Sequence, residues 1–390
     1  MNICDDTVVT SCPLCGKTEF QKLPAPWPHS MTTAGRLVQE PLAKAQCSSC
    51  GILQRVEIRQ LGETNFYETQ YSFYERPGAE QFDAPRYEAM ANWIAESIAP
   101  FVPKTVFDAG CGRGWMLQAL SRSFPEAAFQ GIEPSEQESA NARALGLTVV
   151  TGKLGPNSKA QGQFDLVYST NVLEHTVDPV QFLKALRKMV KEIGFVLILC
   201  PDATLPNAEF MFSDQNYSFT PDNLALLGRR AGLALVSQSM RPEVPSLIDK
   251  QLMVFAIDLG AAQELKPVDR GSLAELLRKR IEYVASYEEC DEYLVEQTES
   301  AGRVINFGTS TWSLLLAAYC PRYWERVQCC VIDGGQGYFI TKPVYDARHF
   351  LFRSDHGVVL GANPFTQEAF AQRLGERGIR TIRWNSIVTR

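Results

Sequence analysis

Two groups of residues have types and spacings that do chemistry. The first is Asp108-Ala109-Gly110-Cys111-Gly112-Arg113-Gly114, a glycine-rich turn that begins on a carboxylate. Glycine has no β-carbon and tolerates positive φ, so such a turn lets a ligand approach the backbone closely. Dinucleotide folds use G-x-G-x-x-G at this point. Here Trp115 stands where the last glycine of that fingerprint falls. A bulky indole at that helix–strand contact argues against close packing over a pyrophosphate. Glu133 follows 19 residues after Gly114, close to the offset of about 20 at which a carboxylate meets ribose hydroxyls, and it would repel a 2′-phosphate. These features predict an adenosine-type ribonucleoside ligand without a pyrophosphate.

The second group is Cys12-Pro13-Leu14-Cys15-Gly16 and Cys47-Ser48-Ser49-Cys50-Gly51, two C-x₂-C pairs with 31 residues between them. Two thiolates two residues apart bend onto one ion, and the glycine after the second permits the tight turn. Four thiolates make a closed tetrahedral site with no open position, so Cys12, Cys15, Cys47 and Cys50 are expected to hold a structural Zn²⁺. The interval exceeds the roughly 15–20 residues usual for the pattern, but each knuckle is well formed. Cys4 reads as a bystander.

These groups need elements to position them. Tyr87, Met90, Ile94, Ile98 and Phe101 recur at helical spacing, with Pro100 and Pro103 to stop the helix. Thr105-Val106-Phe107 predicts a strand running into the glycine turn, and Trp115 to Phe124 a helix leaving it. Further strands are expected at Phe129–Ile132, ending at Glu133, at Phe164–Tyr168 and at Gly194–Leu199. This alternation predicts a parallel sheet flanked by helices. A helix from Leu273 to about Glu299, with Leu276, Leu277, Ile281 and Val284 on its apolar side, leads into a second alternating block at 301–390. Its charge run Glu288 to Glu292 reads as a solvated face. Pro24-Ala25-Pro26-Trp27-Pro28 excludes helix and central strand from that stretch.

Phe107 to Gly114, then Gly131-Ile132-Glu133-Pro134-Ser135, then Phe164 to Pro179 resemble the ordered motif set of the S-adenosylmethionine-dependent methyltransferases of the Rossmann-like class. The resemblance covers about 105–260. It implies that Asp108 and the loop residues Gly110, Cys111, Gly112 and Gly114 hold the methionyl part of the cofactor, and that Glu133, followed by Pro134, takes its ribose. It also implies that Lys153-Leu154 borders the adenine and that Asn171 lies beside the cofactor. With the cysteine module in front and the second block behind, the chain resembles the zinc-binding sugar C-methyltransferases that act on nucleotide-linked deoxysugars. The expected class is therefore α/β, in three parts. These are a zinc-ribbon-like module at 1–65, a central Rossmann-like methyltransferase domain at 66–262, and a linker helix with a smaller C-terminal Rossmann-like domain at 263–390. The C-terminal motif Gly308-Thr309-Ser310-Thr311 has one glycine and reads as a packing unit that walls the cleft.

The implied function is methyl transfer from S-adenosylmethionine to a small substrate, an anionic nucleotide-linked deoxy(keto)sugar; the alternative is O- or N-methylation of a glycosyl or natural-product intermediate. Such a reaction needs a base, and the sequence holds four histidines: His29, His175, His349 and His356. His175, in Leu173-Glu174-His175, falls at the cofactor edge of the resemblance. It is read either as that base or as part of the strand–helix junction. The sugar C-methyltransferases carry a histidine after the next strand; the matching stretch here, Phe212 to Pro221, has none. That departure leaves Asp214 or Tyr217 as further candidates, and Tyr71 matches a tyrosine that lines the family's sugar pocket; its aromatic-rich interval 66–74 reads equally as a core clamp between the cysteine module and the helix at 87–101.

Composition bounds these readings. At 390 residues, about 2.6 times a typical domain, the chain predicts two or three domains. With 45% hydrophobic and 21% charged residues it is ordinary globular protein. The net charge is −6; residues 301–390 hold 11 Lys/Arg against 6 Asp/Glu, so residues 1–300 carry −11. Such acidity gives no footprint for nonspecific duplex binding, and nucleic acid is not an expected partner. No segment approaches about 20 uninterrupted apolar residues, so no membrane span is expected. The N-terminus has no signal-peptide pattern, and the cysteine usage fits a reducing compartment, which predicts a cytoplasmic protein.

Overall fold

The computed structural model describes residues 11–56, 80–155, 158, 162–258 and 270–388. Tyr71 and the aromatic interval 66–74 lie outside the described residues.

Among the described residues the first part carries strands: β1 (Phe20–Lys22), β2 (Ser30–Met31), β3 (Leu37–Val38), β4 (Lys44–Cys47) and β5 (Leu53–Arg55). The Pro24–Pro28 stretch carries no regular element, as its prolines require. The central part follows as α1 (Glu80–Ile98), β6 (Thr105–Ala109), α2 (Trp115–Ser123), β7 (Ala128–Glu133), α3 (Glu136–Ala144) and β8 (Val149–Thr151). It continues through β9 (Phe164–Thr170), α4 (Pro179–Met189), β10 (Val190–Pro201), β11 (Tyr217–Ser218), α5 (Pro221–Arg230), β12 (Leu233–Met240) and β13 (Lys250–Ile257). After α6 (Arg270–Gln297) come β14 (Arg303–Phe307), α7 (Thr311–Tyr319), α8 (Pro321–Arg326) and β15 (Val327–Ile332). The last elements are β16 (Tyr338–Phe339), β17 (Lys342–Asp346), β18 (His356–Leu360), α9 (Gln367–Gly375) and β19 (Thr381–Ile382).

Among the described residues the central sheet runs β12-β13-β10-β9-β6-β7-β8. Its strands are parallel except β13, which is antiparallel to both β10 and β12. Successive residues of β6 and β9 bury alternate faces: Phe107 and Val167 in one core, Val106 and Leu166 in the other. Apolar runs covered on both sides are the expected signature of parallel strands. The C-terminal sheet runs β16-β17-β15-β14-β18-β19, parallel but for the edge strand β16. The N-terminal strands form a sheet β1-β4-β5-β11 whose last strand is lent by the central part, and a separate hairpin β2–β3.

Helix α6 ties the parts together. Arg280, fully buried, donates to Gln46 Oε1, Gly51 O and Ala203 O, while Tyr283, Tyr287, Cys290 and Leu294 pack into one core with Trp27, Met31, Phe212 and α7. The apolar side is rotated from the sequence expectation: Val284 is buried, but Ile281 is exposed. Glu288, Glu289 and Glu292 face solvent as expected. Asp291 does not; it is buried and accepts from Tyr323 N at 2.8 Å and Arg322 Nε at 3.0 Å. No helix among the described residues is long and apolar enough to cross a membrane.

Candidate functional site

The chain leaves β6 through three left-handed glycines, Gly110, Gly112 and Gly114, with φ of +86°, +52° and +85°. Gly110 has a steric reason as well, since a β-carbon there would lie 2.4 Å from Val172 Cγ2. Gly114 is the N-cap of α2, and a β-carbon on it would meet Leu147 Cδ1 at 2.2 Å. Trp115 corrects the sequence reading. Met116, Leu117 and Leu120 make the helix–strand contact, and the indole stands on the rim of a cavity. It carries Arg113 5.0 Å over its ring and Tyr87 edge-on at 5.5 Å.

That cavity, of about 600 Å³, is lined by Asp108, Gly110, Cys111, Gly112, Glu133, Pro134, Leu154, Asn171 and His175 among others. Of the nine residues expected at the cofactor, Gly114 is the one that does not line it. Asp108 is buried and its Oδ1 has no hydrogen-bond partner among the described residues. Burial pushes its carboxyl up to about 8. Glu133, at the end of β7, accepts from Gly112 N at 2.8 Å and Ser135 N at 2.9 Å. Burial nevertheless outweighs those two donors and raises it to about 7. A buried acid beside the Tyr168 hydroxyl with one oxygen unpartnered, and a second whose oxygens keep spare lone pairs, fit a ligand bearing an amine and a pair of hydroxyls.

Other lining residues come from turns after the strands. His175 closes a single 3₁₀ turn after β9, Leu173–His175. Its Nδ1 lies 2.8 Å from Asp214 O; a carbonyl only accepts, so Nδ1 carries the proton and Nε2 is the lone-pair nitrogen. Asn171, at φ +52°, accepts from Lys250 Nζ at 3.0 Å, and Lys250 also pairs with Glu209 at 3.0 Å. Asp214 and Tyr217 do not line the cavity. Tyr217 is buried with its hydroxyl donating to Val177 O at 2.9 Å, a tether rather than a donor to a ligand. Asp214 is buried with its carboxylate committed to Thr33.

A second cavity, of about 480 Å³, opens at the C-terminal ends of β14, β15 and β18. Gly308, Ser310, Asp333, Gly361 and Arg373 line it from the C-terminal sheet, and Arg86, Glu209 and Lys250 from the central part. The strand order turns at this point, between β14 and β18, where open α/β sheets bind ligands. The loop read as a packing unit is therefore the rim of a hollow. Arg86 lines both cavities, and its buried Nε has no partner among the described residues. Its one sequence signal was a cation beside Tyr87, at the start of the stripe on α1.

The cysteines converge. Cys12 Sγ lies 3.6 Å from Cys50 Sγ and Cys15 Sγ 3.5 Å from Cys47 Sγ, and all four sulfurs fall within 4.8 Å of one another. Zn–S bonds of about 2.3 Å give a tetrahedron with edges near 3.8 Å, so the spacing fits four thiolates on one ion. Gly16 and Gly51, both at φ +72°, donate to Cys12 O and Cys47 O at 2.9 and 3.0 Å, two knuckles of the same build.

Residues 82–238 match the family model of a methyltransferase domain. The ubiquinone biosynthesis O-methyltransferase of Pseudomonas paraeruginosa strain PA7 is 34% identical over 114 residues, 27% of this chain and 48% of that protein. The malonyl-[acyl-carrier protein] O-methyltransferase of Neorickettsia risticii is 28% identical over 109 residues, 28% of this chain and 44% of that protein. The chain thus spans about half the length of the curated relatives it matches. Among solved structures, the CcbJ methyltransferase from Streptomyces caelestis superimposes with a TM-score of 0.36 at 13% identity, over 44% of this chain and 90% of that one.

Proposed function

We propose that the protein transfers a methyl group from S-adenosylmethionine to a nucleotide-linked deoxysugar. The observation that carries the cofactor reading is the glycine-lined cavity with two buried carboxyls in its wall, Asp108, whose Oδ1 has no partner among the described residues, and Glu133. Asp108 would take the methionyl amine, the loop backbone its carboxylate, and Glu133 the ribose hydroxyls, with Pro134 and Leu154 against the base. When bound, this cofactor supplies a methyl group on a positively charged sulfur. The protein's own work is then positioning, worth up to about 7–11 kcal/mol in favourable cases, and removal of one proton from the accepting atom. His175 is suited to that step, because its Nδ1–H is tied to Asp214 O and its basic nitrogen is Nε2.

The second cavity supports the substrate class. A sugar at His175 joined to a nucleotide at the β14–β18 crevice would carry its phosphates past Arg86, with Lys250, Arg373 and the N-terminus of α7 nearby. A second reading, O-methylation of a sugar or natural-product hydroxyl, is favoured by the lack of a histidine in the Phe212–Pro221 stretch and by the O-methyltransferase names of the curated relatives. Incubation with methyl-labelled cofactor and a panel of nucleotide sugars, followed by mass spectrometry, tests both. A labelled product that keeps its nucleotide supports the proposal, and its C–C bond or methyl ether separates the readings. Label appearing only on acceptors without a nucleotide sinks the substrate class. His175→Asn should cost about 10²-fold or more in turnover with cofactor affinity intact.

We infer that the four thiolates hold Zn²⁺ in a structural role. Metal analysis should find one ion per chain, lost in a Cys12→Ser/Cys47→Ser double variant.

A further inference from the structure

One wall of the first cavity is contributed by the N-terminal part of the chain. Thr33, at the tip of the β2–β3 hairpin, lines the cavity beside His175. The turn is closed by Thr32 N to Arg36 O and Gly35 N to Thr32 O, both at 2.9 Å, with Gly35 at φ +74°. The hairpin is pinned on two sides. Met31, fully buried, accepts from Ser213 N at 2.9 Å, and at the base Trp27 packs edge-on to Tyr319 at 4.8 Å while His29 Nε2 donates to Ala318 O at 2.6 Å. The tip therefore stands on two supports that neither the cofactor loop nor the central sheet provides.

At that tip Thr33 N donates to Asp214 Oδ1 at 2.8 Å, and the Thr33 hydroxyl donates to Oδ2. Asp214 offers His175 two acceptors. Its main-chain carbonyl lies 2.8 Å from Nδ1 and takes the proton, while Oδ2 stands 3.8 Å away from the same nitrogen. A carboxylate is the stronger acceptor of the two, yet the ring is bound to the carbonyl. The difference is Thr33, which holds both carboxylate oxygens.

We propose that Thr33 is a positioning residue for His175: by holding the Asp214 carboxylate off the imidazole, it leaves Nδ1–H on the carbonyl and fixes the orientation of a ring that lines the cavity. Without the hydroxyl, Oδ2 is a buried carboxylate oxygen short of one donor, a state costly enough to rearrange its surroundings. His175 Nδ1–H is within reach, and the ring turns to meet it. The kinetic consequence rests on the reading of His175 as the base; the orientation of the ring does not.

The test compares Thr33→Val, which keeps the volume and the main-chain bond to Oδ1, with Thr33→Ser, which keeps the hydroxyl. The first readout is the imidazole Nδ1–H resonance of His175 in ¹⁵N-histidine-labelled protein saturated with S-adenosylhomocysteine, assigned by its loss in His175→Asn. The second is affinity for S-adenosylhomocysteine by calorimetry. The third is methyl transfer to the acceptor found in the nucleotide-sugar panel. In Thr33→Val the resonance should move, cofactor affinity should stay as in the wild type, and kcat should fall roughly tenfold to a hundredfold with the acceptor KM unchanged. Thr33→Ser should restore both resonance and rate. A resonance that stays in place in Thr33→Val, or a Thr33→Ser protein that behaves like it, overturns the proposal. His175→Asn turning over at the wild-type rate would overturn the base reading instead, and the resonance in Thr33→Val would still decide whether Thr33 orients the ring.

Discussion

The two parallel sheets begin alike and diverge at the site. Each opens with a five-residue strand, a turn holding glycine and a nine-residue helix: β6 and α2 in one, β14 and α7 in the other. Each has a six-residue second strand with a carboxylate at its end, Glu133 or Asp333. The turns differ. The first has three left-handed glycines, the second Gly308 followed by the hydroxyl residues Thr309, Ser310 and Thr311. The helices differ too. α2 buries one face, whereas α7 is buried nearly all round, because it sits between its own sheet and the β2–β3 hairpin. The carboxylates differ most. Glu133 is buried and takes two main-chain N–H bonds, while Asp333 is part-exposed and paired with Arg373 at 3.2 Å. The first hollow therefore holds two buried carboxyls, while the second sets the cations Arg86, Lys250 and Arg373 among Glu209, Asp249 and Asp333.

Exchange of the two carboxylates should separate the two proposed ligands most sharply. Glu133→Ala should weaken S-adenosylhomocysteine binding by about 10²–10³-fold, the loss of two bonds to a charged group, and Asp333→Ala should leave that affinity untouched. For the proposed nucleotide-sugar acceptor the pattern should invert: Asp333→Ala removes the partner that holds the Arg373 guanidinium in place and should raise KM about tenfold. If Asp333→Ala weakens cofactor binding as well, the two hollows do not divide the ligands between them.

The glycines give a smaller contrast. In Gly110→Ala the new methyl meets Val172 at 2.4 Å on a left-handed backbone, so the loop must shift and cofactor affinity should fall by at least tenfold. In Gly361→Ala it meets Ser313 Oγ at 2.3 Å and Asn306 Nδ2 at 2.5 Å, inside a buried polar cluster. The second change should cost stability, about 1–3 kcal/mol by overpacking, with cofactor affinity unchanged. Thermal melts and calorimetry on the two variants read both quantities.

What the sequence disclosed is what lies close together along it. The turn Asp108–Gly114 and Glu133 are joined by one helix and one strand, so their spacing alone predicts a shared cavity. The two cysteine knuckles are legible because each is a complete local structure. The second wall was illegible for the opposite reason: Thr33 and Asp214 are 181 residues apart, and neither residue type is unusual in its own neighbourhood. Asp214 and Tyr217 attracted attention because they lie in the stretch where the sugar C-methyltransferases carry a histidine, and neither lines the cavity. Trp115 was misplaced by angle, since one residue on a helix is about 100° of rotation. The second cavity was hidden because it is formed by strand ends that meet only when β14 lies beside β18.

The smallest effect, and the one most specific to the first hollow, is its response to pH. Asp108 is raised to about 8 and Glu133 to about 7 by burial in the ligand-free protein. At neutral pH Asp108 therefore rests as the neutral acid, and an arriving ammonium group favours its carboxylate. Binding must then eject a proton, so affinity for S-adenosylhomocysteine should rise by up to about tenfold per pH unit between 6 and 8 and then level. Calorimetry in buffers of different ionisation enthalpy measures that proton directly. The same shifts set the stability of the free protein with the opposite sign. A carboxyl whose folded value is raised contributes stability that is fully present below its unfolded value, near 4, and lost as pH climbs through 7 to 8. The melting temperature of the ligand-free protein should therefore drop over that window, and saturating cofactor should flatten the drop. In Asp108→Asn most of the pH dependence of binding should vanish along with much of the affinity. A variant that keeps the full slope would place the titrating group elsewhere and leave Asp108 no role toward the amine.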